Sequence, residues 1–189
     1  MKQAKTLSKA ELKRVLEVTR SCSRYPMRDT TMLLLTHWCG MRVGEVAALQ
    51  REDVLDADGH VRAEIALQAA QTKGQKTRVV FVPERMRRQL HGYLQSAEKP
   101  VHSPFLFQTQ KAQRFSANTA TQHLQRLYQR AGIAGATSHS GRRTFITELA
   151  AKGVGVRVLA ELAGHRSIQT TQRYIDVNDE MMRKAIELL

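Results

Sequence analysis

Apolar residues recur at helical spacing along most of the chain, a pattern that predicts a mainly helical protein. The first helix is expected to begin after Ser8, which forms a capping-box pattern with Glu11. A second and more apolar helix is predicted over about 28–39, ending at Gly40. Further helices are predicted over about 42–49, 84–96, 116–131, 140–152 and 156–163, from Ser167 through Tyr174, and in a last amphipathic stretch from Met181 to Leu189.

Two segments have the alternation of strands. Over 60–65, apolar side chains alternate with polar and charged ones, which is typical of a strand with one buried face. The second candidate, 78–82, follows a polar turn with Lys73 and Lys76 near its tip. A small antiparallel sheet of two or three strands is the expected result. The predicted fold class is therefore mixed α+β, mainly helical, with a small antiparallel β-sheet.

The length and the charge of the chain restrict its organisation and its partners. A chain of 189 residues without repeats or linkers is expected to form a single domain over 1–189, with a core at about 7–178 and a C-terminal segment at 179–189. Thirty Lys and Arg against seventeen Asp and Glu give a net charge of +13. This excess favours a polyanionic partner over a merely solvated basic surface.

Cysteine content and hydropathy indicate the compartment. Cys22 and Cys39 are too few and too isolated for a disulfide framework or a zinc site, so a reduced, cytoplasmic setting is expected. The longest apolar run near the N-terminus, 32–35, is too short to span a bilayer, and we expect no membrane partner.

The stretch 137–174 concentrates side chains that bind or protonate phosphate oxygens. His139 and Arg142 are three residues apart, His165 follows a glycine, and Tyr174 comes nine residues after His165. A single histidine or tyrosine is more often structural, but the combination is typical of phosphoryl transfer with a protein nucleophile.

Two upstream basic features have alternative interpretations. Arg42 begins a predicted short helix, where it either contributes to an anion site or pairs with Glu45 one turn later. Lys73 and Lys76 either act at the site or are solvated residues of the hairpin tip.

In their order along the chain, these motifs resemble the signature of the tyrosine recombinases, the phage integrase family. The resemblance runs from about Leu7 onward and implies the fold of the family's catalytic domain. It also implies a homo-oligomer on double-stranded DNA, a dimer on each site and a tetramer in synapsis. The matching residues are Arg42 in Cys-Gly-Met-Arg-Val-Gly-Glu, Lys73 in Thr-Lys-Gly-Gln-Lys, His139 and Arg142 in His-Ser-Gly-Arg, His165 in Gly-His, and Tyr174 in Thr-Thr-Gln-Arg-Tyr.

The resemblance implies site-specific recombination through a 3′-phosphotyrosyl intermediate. Tyr174 is expected to attack the scissile phosphate and release a 5′-hydroxyl. Arg42 and Arg142 are expected to hold the non-bridging oxygens, and His165 to donate to one of them.

Two further roles follow from the same resemblance. His139 is expected to act as a general acid/base near the tyrosine hydroxyl, and Lys73 to protonate the leaving 5′ oxygen. Neither a metal nor another cofactor is expected, because protein cations supply the charge and the covalent adduct retains the phosphodiester energy. The sequence also has no carboxylate cluster typical of a two-metal site and no Gly-rich nucleotide loop.

Departures from the family pattern leave alternatives open. Gly141 stands where the family usually has Leu, which predicts a looser helix start at Arg142. The family's N-terminal core-binding domain is expected to be absent, in a short natural member or in a fragment. The segment 179–189 is expected to pack on a neighbouring protomer or back on its own domain. A DNA-binding regulator with little or no cleavage and a type IB topoisomerase-like enzyme are the alternative functions.

Overall fold

A computed structural model describes residues 4–72, 76–100, 102–175, 182–183 and 186–187. Within these ranges the protein is mainly helical, with one two-stranded antiparallel sheet, as the sequence predicts. The elements are α1 Lys9–Cys22, α2 Pro26–Trp38, α3 Val43–Ala48, α4 Arg51–Val54, β1 Glu64–Leu67, β2 Arg78–Phe81, α5 Glu84–Gln95, α6 Ala117–Arg130, α7 Ser140–Ala151, α8 Val156–Ala163 and α9 Ile168–Gln172, with a 3-10 turn at Ala69–Gln71.

The first two helices begin where local chemistry predicts. The Glu11 backbone N–H donates to Ser8 Oγ at 3.1 Å, and the Ser8 N–H donates to Glu11 Oε2 at 2.9 Å, so the capping box is confirmed. Helix α2 begins at Pro26, two residues earlier than predicted, because proline at the first helical position lacks only an N–H that would have had no helical partner. The side chains of α2 are buried from position 28 to 37, which makes it the central helix.

The predicted first strand is displaced, since only Glu64 and Ile65 of the segment 60–65 belong to β1. Residue Val61 forms an isolated bridge with Leu55, and the Arg62 N–H donates to the Val54 carbonyl at 2.9 Å. This part of the chain therefore pairs with the end of α4 instead of with β2. Strand β1 begins only at Glu64, and its register places Ile65 opposite Val80.

The start of α7 packs against α2 without any space for a side chain. A Cβ atom on the buried Gly141 would lie 2.2 Å from Thr36 Oγ1 and 3.1 Å from Thr36 Cβ. Glycine thus permits the two backbones to approach closely. The expectation of a looser helix start is wrong, because the missing side chain is replaced by direct contact with α2.

The C-terminal segment is described only in part. Met182 and Ile186 are 56% and 64% exposed, so these two apolar side chains are largely uncovered. The rest of 179–189, apart from Arg183 and Glu187, lies outside the described residues. In the described part of the chain, no helix has the length and apolar character needed to cross a membrane.

Candidate active site

A cleft of about 740 Å³ opens where the starts of α3 and β2 meet the end of α8 and the residues that follow it. Most of its lining side chains are basic or polar, which suits an anionic group. The lining residues are Arg42, Thr72, Lys76, Thr77, Arg78, Glu161, Gly164, His165, Arg166 and Thr170.

Arg42 lies at the N-cap of α3 and faces this cleft. Its backbone N–H donates to Glu45 Oε2 and its Nη1 donates to Glu45 Oε1, both at 2.8 Å. Its Nη2 donates to the Gly164 carbonyl at 2.7 Å, and the side chain remains 27% exposed. The predicted pair with Glu45 is therefore present, and it orients a guanidinium that still lines the cleft.

Arg142 approaches the same place from α7. It is only 6% exposed, and its guanidinium donates to the carbonyls of Gly40 and Ala163. Burial, and then the neighbouring charge of Arg42, lowers the pKa of Arg142 to about 9. The group is still cationic at neutral pH.

A third guanidinium, on Arg78 of β2, joins the two predicted ones. Its Nε and Nη2 donate to the Glu45 carboxylate at 3.2 and 2.7 Å, and its Nη1 donates to the Leu162 carbonyl at 2.9 Å. Burial opposes ionisation of Glu45, but the hydrogen bonds and charges of Arg78 and Arg42 outweigh it and lower the pKa of this carboxyl group. Glu45 is therefore an anion shared by two arginines.

The C-terminal end of α8 organises all three cations. Arg78, Arg142 and Arg42 donate to three successive carbonyls, those of residues 162, 163 and 164. The last carbonyls of a helix have no partner within the helix and carry partial negative charge, which favours cations there. Gly164 ends the helix in the left-handed conformation, with φ of +61°.

His165 follows directly after this cluster. Its Nδ1 lies 2.8 Å from the hydroxyl oxygen of the buried Thr171. Burial, followed by the charges of Arg142, Arg42 and Arg78, lowers the pKa of His165 to about 4. The ring is therefore neutral at pH 7, with one N–H to donate.

Tyr174 lies beside His165, two residues beyond the end of α9. The two rings stack with centroids 5.8 Å apart and an interplanar angle of 19°. The Arg143 guanidinium carbon lies 5.6 Å from the centre of the tyrosine ring, and the Thr147 hydroxyl donates to the Tyr174 carbonyl at 3.4 Å. Helix α7 thus contacts the tyrosine through the partly buried Arg143 and Thr147 and supplies Arg142 from another face.

Two of the predicted residues are less fully defined. His139 is exposed at the N-cap of α7, three residues before Arg142, and a shared phosphate for the two stays a prediction. Lys73 lies outside the described residues. Thr72 and Lys76, the nearest described residues on either side of it, are linked by two hydrogen bonds: the Thr72 hydroxyl donates to the Lys76 carbonyl at 2.8 Å and accepts from the Lys76 N–H at 3.2 Å.

Sequence reasoning missed two residues of this region and half of the role of a third. The spacing predicts Glu45 as a partner of Arg42 but not of Arg78. Arg78 and Arg143 carried no local signal beyond positive charge. Both are identified only by what they contact, Glu45 for the first and the ring of Tyr174 for the second.

One group of side chains has the arrangement of possible metal ligands. Among the described residues, ligand atoms of Asp56, Asp58 and His60 lie within 4.8 Å of one another. Asp56 Oδ1 already accepts the backbone N–H groups of Asp58 and His60, at 3.0 and 2.8 Å. These contacts are those of a local turn, and none of the three residues lines the cleft.

A comparison of the sequence with known protein families identifies the class to which this fold and this cluster of cations belong. It matches the phage integrase family over residues 5–181 and belongs to that family.

Among curated relatives, the tyrosine recombinase XerA of Thermococcus kodakarensis is 34% identical over 186 residues, which are 97% of this chain and 62% of the relative. A crystal structure of XerA recombinase is similar with a TM-score of 0.78 and 28% identity, over 100% of this chain and 66% of that one. A structure of XerH recombinase bound to its difH substrate shares the fold, with a TM-score of 0.72 and 22% identity, over 98% of this chain and 54% of that one. The chain therefore spans about three fifths of the length of the curated relatives it matches.

Proposed function

We propose that the protein is a site-specific DNA recombinase that cleaves and rejoins duplex DNA through a 3′-phosphotyrosyl intermediate on Tyr174. The observation that carries this proposal is the convergence of Arg42, Arg142 and His165 at the end of α8, with the Tyr174 ring stacked on His165. Such a grouping offers fixed donors for phosphate oxygens beside a hydroxyl nucleophile.

The first step exchanges one phosphate ester for another. The phenolic oxygen of Tyr174 attacks the scissile phosphorus, its proton passes to His139, and the bond from phosphorus to the 5′ oxygen breaks. Lys73 gives a proton to that oxygen, so the products are a 3′-phosphotyrosine and a free 5′-hydroxyl. The reverse step, with the 5′-hydroxyl of a partner strand, restores the phosphodiester and releases the phenol.

The cations address the main energetic obstacles. A phenol with a pKa of about 10 is ionised to about one part in a thousand at pH 7, so the reactive phenolate lies about 4 kcal/mol above the neutral phenol. Charge also develops on the phosphate oxygens during attack, and loss of one oriented donor to such a group commonly costs about 3 to 4 kcal/mol. Arg42 and Arg142 are held by Glu45 and by backbone carbonyls, so they are oriented before the phosphate arrives.

His165 is proposed to act as a neutral donor. A ring whose Nδ1 accepts the hydroxyl proton of Thr171 carries its own proton on Nε2. That N–H is then available to a non-bridging oxygen, and the lowered pKa keeps the ring from adding a fourth positive charge to the cluster.

Duplex DNA is the proposed partner and the cytoplasm the proposed location. The net charge of +13 and the basic lining of the cleft support binding to a phosphate backbone. The XerH relative of similar fold is bound to a DNA substrate. We further propose a dimer on each site and a tetramer in synapsis.

The C-terminal segment 179–189 is proposed to pack on a neighbouring protomer. The apolar side chains of Met182 and Ile186 are largely exposed, and so is Phe81, 55% exposed at the wall of a second cavity of about 440 Å³. Truncation after residue 178 is expected to abolish the complex that joins two DNA sites, as measured on a native gel. Binding to a single site should remain.

The test is a covalent trap. A library of duplexes with a randomised arm, each nicked so that the cleaved fragment diffuses away, is incubated with the protein in EDTA, and SDS-resistant adducts are sequenced to obtain the site. The wild-type protein is expected to form an adduct on the recovered site. Tyr174→Phe is expected to form none, while Tyr25→Phe, a matched change at a partly buried tyrosine, retains wild-type trapping.

The other outcomes separate the alternatives. If Tyr174→Phe forms as much adduct as the wild-type protein, another residue is the nucleophile. Binding without any adduct would favour a DNA-binding regulator. Relaxation of supercoiled DNA without a preferred sequence among the adducts would favour a type IB topoisomerase-like enzyme.

A further inference from the structure

We propose that Arg78 is a positioning residue for strand cleavage, which sets the charge on Glu45 and thereby the freedom of Arg42 to bind the scissile phosphate. This inference rests on the proposed recombinase function. It assigns a role to a side chain that no sequence motif singled out.

Arg78 connects three separate parts of the cleft. It is the first residue of β2, and its side chain is only 9% exposed. From there it reaches Glu45 on α3 with two nitrogens and the Leu162 carbonyl at the end of α8 with the third. The hairpin strand, the helix that begins after Arg42 and the segment before His165 are therefore tied to one guanidinium.

The path of the Arg78 side chain depends on Gly164, which lies against it in the fold. A Cβ atom at Gly164 would lie 2.6 Å from Arg78 Cδ and 3.2 Å from its Nε. The glycine thus ends α8 in a left-handed conformation and also leaves the space through which Arg78 passes. A side chain at position 164 would displace the arginine from Glu45.

The carboxylate of Glu45 is divided between two arginines. Its Oε1 accepts from Arg42 Nη1 at 2.8 Å and from Arg78 Nε at 3.2 Å. Its Oε2 accepts from the Arg42 backbone N–H at 2.8 Å and from Arg78 Nη2 at 2.7 Å. Two cations and one carboxylate leave one positive charge in excess, which is available to the substrate.

Removal of Arg78 changes that balance. Glu45, which is 1% exposed, would then have Arg42 as its remaining cationic partner, and the pair would be neutral. A buried carboxylate with one counterion holds that counterion tightly, because its interactions are weakly screened. Arg42 would therefore stay on Glu45 at the expense of the phosphate.

This role predicts a dependence on the charge of the substrate. Replacing one non-bridging oxygen of the scissile phosphate by methyl gives a neutral methylphosphonate, which needs less cationic stabilisation. A variant that has lost the contribution of Arg42 should therefore be less defective on the methylphosphonate than on the natural diester. A variant that is only less stable should be equally defective on both.

The experiment measures the rate of adduct formation on both substrates with Arg78→Gln and, as a matched control, Arg88→Gln on the exposed face of α5. On the natural diester, Arg78→Gln is expected to be about 100-fold slower than wild type, the size of a typical misplacement effect. On the methylphosphonate the deficit is expected to fall below about 10-fold. Adding Glu45→Gln to Arg78→Gln should raise the cleavage rate on the diester at least about 10-fold, because it removes the negative charge that retains Arg42. Arg88→Gln should match wild type on both.

Equal deficits on the two substrates, in a variant with the wild-type melting temperature, would overturn the positioning role and leave the recombinase function standing. Absence of any adduct from the wild-type protein would instead overturn the recombinase function, and this role with it. If Arg78→Gln does not fold, Arg78→Met makes the same comparison, since it removes the same charge and keeps much of the length and apolar character of the arginine stem.

Discussion

The close packing of α7 on α2 makes Gly141→Ala a sensitive test of how the helix of Arg142 is held. The added Cβ would lie 2.2 Å from Thr36 Oγ1 and 3.3 Å from the His37 backbone nitrogen. Thr36 is fully buried and donates to the Leu33 carbonyl at 2.7 Å, so it cannot turn away without losing a hydrogen bond. The two helices must therefore separate.

The expected magnitude is the balance of two effects. Alanine gains at most about 1 kcal/mol over glycine at this second position of the helix. Overpacking in a tight core costs about 1–3 kcal/mol, and the strained Thr36 hydrogen bond costs about 1 kcal/mol more. We expect a net loss of about 2 kcal/mol, which for a chain of this size lowers the melting temperature by about 4–8 °C. Cleavage should also slow, because Arg142 is the next residue.

Melting followed by circular dichroism, with Gly92→Ala as the matched control, measures the effect. A Cβ at Gly92 on α5 would meet only the end of the flexible Met27 side chain, at 3.4 Å, so this variant should melt at or slightly above the wild-type temperature. Combining Gly141→Ala with Thr36→Ala should recover part of the loss, because the 2.2 Å contact disappears. A Gly141→Ala protein as stable as wild type would refute the account of this interface.

Two further predictions concern the proton donors and the histidines. Lys73→Ala should cleave slowly but recover on a substrate with a 5′-bridging sulfur, since a thiolate leaves without a proton; recovery by Lys76→Ala alone would reassign the role to that lysine. Burial, and then the charge of Arg85, lowers the pKa of His37 to about 4. The unfolded chain therefore binds a proton on His37 below about pH 6.5, whereas the folded protein binds it only below about pH 4. Stability should therefore fall as the pH drops through this window, on the order of 2 kcal/mol from this residue by pH 5. His37→Leu should flatten the fall of the melting temperature, His91→Leu should not, and an unchanged pH profile in His37→Leu would contradict the assignment.

The features that the sequence predicts correctly are those with local causes. The capping box of Ser8, the stop at Gly40 and the helix end at Gly164 depend on residues within one or two turns. The convergence of Arg42, Arg142 and His165 was expected only because their order resembles a family signature.

The features that sequence reasoning missed depend on contacts between distant positions. Gly141 is separated from Thr36 by about a hundred residues. Only the packed helices show that glycine at this position allows α7 to contact Thr36 closely. Arg78 acquires its significance from Glu45, thirty-three positions away. The alternation places Val61 in the first predicted strand, but it bridges Leu55 instead, because periodicity predicts an extended segment and does not identify its partner.

The covalent bond to Tyr174 is the central claim, and its direct test is peptide mapping of the trapped adduct. The wild-type adduct is digested with nuclease and trypsin, and the peptides are sequenced by mass spectrometry. The account predicts one peptide that begins at Tyr174, because trypsin cleaves after Arg173, with a 3′-linked nucleotide on that tyrosine. A nucleotide on any other side chain, or an unmodified Tyr174 in the isolated adduct, would contradict it.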